Sequence, residues 1–147
     1  ATAFEAIGAR TEDDGFMSLV NVVLGGETAK LAAELQRMRE LGLNPVGLLL
    51  AFERRATQLA QLAARMGPHG NVRQFIESES NARPPRVFWK DKNELIQQLL
   101  AWRGRKLARL VDRLVEMHRM LMTNSQNAEL LLAQGLAEIA RAAAPRN

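Results

Sequence analysis

The side chains able to do chemistry are few and scattered. His69 and His118 are the only histidines in the 147 residues. His69 stands in the turn Gly67-Pro68-His69-Gly70, His118 in a helical stretch, and neither has a Cys or a carboxylate cluster at ligand spacing. A metal needs three or four converging ligands, so both read as structural or surface residues. Glu12, Asp13 and Asp14 could be taken for an acid pair. Acids following Thr11 also suit a helix start, where the dipole favours negative charge, and that explains them without further assumptions. Gly25-Gly26-Glu27-Thr28-Ala29-Lys30 is superficially like a phosphate loop. It lacks the Gly-x-x-x-x-Gly-Lys-Ser/Thr order, and it joins two helical stretches, not a strand to a helix. No Gly-x-Ser-x-Gly elbow occurs, and the absence of cysteine excludes a thiol nucleophile, a thiolate metal site and disulfides. The expectation is a non-enzymatic chain with no catalytic residue, no cofactor and no metal site.

Two basic patches carry the remaining chemistry. Arg103, Arg105, Lys106, Arg109 and Arg113 run into and along one helix; Arg83, Arg86, Lys90 and Lys92 surround Phe88-Trp89. Cations interleaved with aromatics can bind single-stranded nucleic acid. Against that, Arg109 with Asp112 and Arg113 with Glu116 stand at i,i+3 spacing and can pair on a solvated helix face. Phe88-Trp89 reads first as an anchor holding its loop on the core, and otherwise as partner surface. The net charge of +4 mixes 20 basic with 16 acidic residues, which permits nucleic-acid binding without pointing to it.

The elements that must position these residues are helices. Composition is 47% hydrophobic but only 5% aromatic, and Leu, Ala, Arg, Glu and Gln, all good helix formers, prevail. The pattern predicts a helix from Phe16 to Leu24 stopped by Gly25-Gly26, then one from Thr28 to Leu41 with Gly42 as its stop. Asn44-Pro45 opens a long helix whose stripe is Leu49, Phe52, Ala56, Leu59, Ala63 and Met66. Asn71 caps a shorter helix to about Ser78, and residues 79 to 86 read as a loop. Further helices are expected over Lys90 to Trp102, Arg105 to Met122 and Asn127 to Ala143. The fold class is therefore all-α, a compact bundle of about seven helices. No apolar run reaches the ~18 residues of a membrane span, so no membrane association is expected. Leu48, Leu50 and Leu62 fall off the main stripe of their helix, as do Leu130 and Leu131 of theirs. They either bury against other helices or offer surplus apolar surface to a neighbour.

The order of these pieces resembles the carboxy-terminal domain of bacterial DNA polymerase III delta subunits, members of the clamp loader. The matching stretches begin with Phe16-Met17-Ser18-Leu19-Val20, Gly25-Gly26 and the Leu31–Leu41 helix. Gly42-Leu43-Asn44-Pro45-Val46-Gly47-Leu48-Leu49 is similar to the family's Gly-x-x-Pro-(apolar)-x-(apolar)-Leu helix entry. It continues into the Arg- and Gln-rich Phe52–Ala63 segment. Pro84-Pro85-Arg86-Val87-Phe88-Trp89-Lys90-Asp91-Lys92 looks like a proline-aromatic-basic signature of proteobacterial members. Trp102, Leu107-Ala108-Arg109-Leu110-Val111 and Glu129-Leu130-Leu131-Leu132 complete the series. One departure is Leu121-Met122-Thr123, where members often carry a basic step.

The resemblance covers about residues 12 to 147 and implies a cytoplasmic, clamp-loader collar-like domain that packs with those of sister subunits in a five-membered ring. Its partners would be the motor (gamma/tau) and delta-prime subunits. The implied function is assembly in support of sliding-clamp loading during DNA replication, without ATP hydrolysis. In the family the clamp is gripped by an amino-terminal domain, so contact with the clamp or with DNA is not expected of this segment. The chain opens Ala1-Thr2-Ala3-Phe4, and Phe4 and Ile7 read as part of a helix already under way. Residues 1 to 11 would then be the last helix of the preceding middle (lid) domain. The candidate partner-facing residues are Phe88, Trp89, Leu48, Leu62, Leu130 and Leu131. The alternative is a basic helical nucleic-acid-binding domain.

Overall fold

Local stop and start signals divide the chain into helices. The computed structural model of the protein describes residues 15–42 and 44–145. The expected helix over residues 1 to 11, the acidic cap at residues 11 to 14 and Leu43 of the helix-entry motif lie outside them. Helix α1 covers residues 15–24. It ends where the Glu27 N–H reaches the Val22 carbonyl at 2.9 Å and the Gly26 N–H reaches Val23 at 3.1 Å. This pair of bonds closes a helix around a left-handed residue, and Gly26 supplies it at φ 72°. Helix α2, Thr28–Leu41, ends on left-handed Gly42, whose N–H reaches the Arg39 carbonyl at 3.1 Å. Helix α3, Pro45–Met66, starts with proline at a position whose N–H needs no partner, and Asn44 Oδ1 accepts the Val46 N–H at 2.9 Å. Helix α4, Val72–Asn81, is capped by Asn71, whose Oδ1 accepts from Gln74 N–H at 3.0 Å.

A 3-10 turn over Trp89–Asp91 leads into α5, Lys92–Ala101. Helix α6 is Arg105–Thr123, and a second 3-10 turn, Ser125–Asn127, leads into α7, Ala128–Ala143. Among the described residues the molecule is all-α, with seven helices and no strand. Two boundaries differ from expectation. Helix α4 runs to Asn81, beyond Ser78, because Glu79 is buried and held at both ends of its carboxylate by Arg65 and Arg86. The stretch read as the first turn of the Lys90 helix is tighter, with the Asp91 N–H bonded to the Phe88 carbonyl at 2.9 Å.

One continuous apolar core draws on all seven helices. Helix α3 lies along α6, α6 pairs with α7, α4 with α5, and α2 with α7. Phe52, Leu59, Leu99, Leu114 and Leu136 are among the fully buried side chains, each worth about 1.5–3 kcal/mol relative to exposure.

Candidate partner interface

The polar interior ties the helices together. The Arg55 guanidinium on α3 donates to Asn21 Oδ1 on α1 at 3.0 Å and to Gln98 Oε1 on α5 at 2.9 Å. Gln98 Nε2 closes the triangle onto Asn21 Oδ1 at 2.8 Å. Burial pushes the Arg55 pKa below its ordinary value, and the charges of Asp91 and Glu94 oppose that shift. A second tie holds the proline loop: Glu79 lies 2.7 Å from Arg65 and 3.2 Å from Arg86. The contact of Glu79 Oε1 with Arg65 is Coulombic, since that oxygen accepts no directed hydrogen bond. His118 Nδ1 meets Glu53 Oε1 at 2.9 Å, linking α6 to α3, and His69 is exposed in its turn. All three ties serve packing between helices. Among the described residues no three His, Asp or Glu converge as metal ligands do.

The six candidate interface residues separate into two groups. Leu48 and Leu62 are buried in the core, which corrects their assignment to a partner surface. They lie off the stripe centre because α3 is covered on more than one side, packing on α5, α6 and α7. Phe88 and Trp89 are 57% and 64% exposed, with ring centroids 6.0 Å apart and Lys90 Nζ 5.4 Å from the Trp89 ring. The loop is anchored by buried Val87, not by this aromatic pair. Leu130 is 67% exposed at the start of α7, while Leu131 is half-buried against the core. Met120 and Met122, just before the α6–α7 turn, are exposed as well. The structure thus leaves apolar side chains in solvent at the Phe88–Trp89 loop and on both sides of the α6–α7 turn.

The basic patches are also redistributed. Arg113 reaches across to Glu138 on α7, not along its own helix to Glu116. The expected Arg109–Asp112 pair is likewise absent, and Arg109 meets no carboxylate among the described residues. Arg103 donates to the Pro68 carbonyl at 3.4 Å, and Lys106 Nζ lies 5.3 Å from the Trp102 ring.

One feature escaped the sequence reading: a groove of about 970 Å³ between the end of α5, the first half of α6 and the last turns of α7. Its back is fixed by two bonds to the end of α1, Gln97 Nε2 to the Gly25 carbonyl at 2.9 Å and Trp102 Nε1 to the Leu24 carbonyl at 2.8 Å. Two signals could have marked it. Leu100 follows Leu99 off the buried stripe, and Ala142-Ala143-Ala144 is too small to fill the space beside it.

Comparison with protein-family models, with curated proteins and with solved structures found no match to the chain.

Proposed function

We propose that this chain is a non-catalytic assembly domain, a clamp-loader collar module of the delta-subunit type. In this role it packs in a ring with the collar domains of the motor (gamma/tau) and delta-prime subunits. It thereby supports the loading of a sliding clamp in DNA replication. The observation that carries the reading is the Phe88–Trp89 pair. It sits on a bundle whose own core is already continuous, yet both rings remain in solvent. Adjacent exposed aromatics are the side chains most often found as anchors at protein interfaces. The choice of these partners rests on the resemblance carried by the order and spacing of the motifs from Phe16 to Leu132.

The experiment is gel filtration of the purified chain with collar fragments of the motor and delta-prime subunits at micromolar concentration. Co-elution is the expected result, and the Phe88→Ala/Trp89→Ala double variant should weaken it at least about tenfold, as loss of an interface hot spot does. Separate elution of all partners, each shown to be folded, would remove the collar assignment.

A further inference from the structure

The groove between α5, α6 and α7 combines two surface chemistries. Its floor is aliphatic: Leu100 is 50% exposed, with Ile139, Ala142 and the α7 end beside it. Its rim is cationic. Lys106, Arg109, Arg113 and Arg141 line it, and Glu138 is its one carboxylate, already paired to Arg113. Lys106, Arg109 and Arg141 meet no carboxylate among the described residues.

We propose that this groove is a docking site for an acidic amphipathic segment of a partner protein. An aliphatic floor is desolvated favourably only by apolar side chains, and uncompensated cations on the rim select carboxylates beside them. Lys106 and Arg109 stand at helical i,i+3 spacing on one edge of α6, about 5 Å apart along its axis, and Arg141 adds a third cation from α7. A partner helix with carboxylates one turn apart along one edge matches this pair. Nucleic acid fits less well. The aromatic residue of the groove, Trp102, is 3% exposed, its N–H is committed to Leu24, and Lys106 lies over its ring, so no base can stack on it. This site is distinct from the Phe88–Trp89 loop and the α6–α7 turn and stands whether or not the chain belongs to a collar.

The test begins with selection from a phage library of random peptides of about 16 residues, enough for some four helical turns, against the whole chain. Enriched peptides should carry Asp or Glu flanking Leu, Ile or Met at i,i+3/i+4 spacing. Their labelled synthetic forms should bind in fluorescence anisotropy. Affinity should drop at least about tenfold for Arg109→Glu/Arg141→Glu, as charge-assisted contacts are lost and repulsion is gained. Leu100→Ser should also weaken binding, whereas a scrambled peptide of equal charge should not compete. All the substituted positions are exposed, so unchanged circular dichroism and melting separate lost binding from lost folding. Several outcomes would overturn the proposal: no enrichment, peptides indifferent to these variants, or a scrambled peptide binding equally well. The same holds if labelled single-stranded DNA, and not the peptides, loses binding in Arg109→Glu/Arg141→Glu. Loss of self-association in sedimentation by that variant would assign the groove to a second copy.

Discussion

Replacing Arg55 with alanine leaves half-buried Asn21 Oδ1 with one of its two donors and buried Gln98 Oε1 with none. A buried acceptor stripped of its partner costs about 1–3 kcal/mol, and only Gln98 Oε1 is fully stripped, so Arg55→Ala should destabilise by about 1–3 kcal/mol in urea unfolding. The apolar triple variant Asn21→Leu/Arg55→Met/Gln98→Leu should recover most of that loss, because no stranded polar atom remains. A result in which the triple variant is far worse than Arg55→Ala would show that the triangle does more than satisfy itself. The lowered pKa of Arg55 means its charge opposes folding wherever it is protonated in both states, and that penalty lifts only as pH rises through the folded-state pKa. Arginine stays protonated far into alkali, so the wild-type and triple-variant stabilities should differ by a constant amount between about pH 5 and about pH 9. None of this was legible from the stripe of α3. Arg55 falls outside that stripe, in an Arg- and Gln-rich segment, and only the convergence of α1 and α5 makes its position interior.

At the scale of elements, the helices were legible because their ends are written locally. Asn44-Pro45, Gly42 and Asn71 each act within four residues, so the bounds of α2 and the start of α3 follow from sequence alone. What could not be read is where distant ends meet. Gly26 is one such place: a Cβ there would stand 2.6 Å from the Ala144 nitrogen and 2.7 Å from the Ala143 carbonyl carbon, both backbone atoms. The glycine looked like a helix stop, and it is also the point where α1 and the end of α7 touch. Its left-handed φ adds a second penalty for any side chain, about 1–2 kcal/mol. Gly26→Ala should therefore cost more than about 2 kcal/mol in thermal unfolding, with hydrogen exchange at the end of α7 rising most. By contrast, Asn71→Ala removes one cap bond from α4 and should cost only about 1 kcal/mol. Equal costs for the two substitutions would mean that the α1–α7 contact contributes little.

Across the whole molecule, burial sorts apolar residues into those that hold the bundle and those left for something else. Sequence periodicity found the core but could not sort Leu48 and Leu62 from Leu130, because all fall off the stripe centre and only packing of neighbouring helices decides which are covered. The loop aromatics posed the same ambiguity, resolved by Val87 taking the buried position. These assignments separate stability from association. Leu48→Ala and Leu62→Ala open space in the core and should each cost about 2–5 kcal/mol. Phe88→Ala and Trp89→Ala remove side chains that are already in water, so each should change stability by no more than about 0.5 kcal/mol. In a collar the order reverses: the aromatic substitutions should weaken assembly, while the two core substitutions should affect it only through the folded fraction. Titrating each variant with folded partner collars, alongside its own melting curve, places every residue on both axes. If Trp89→Ala lowered melting as much as Leu48→Ala, the ring would be holding its own loop, and the surface proposed for sister subunits would have to lie elsewhere.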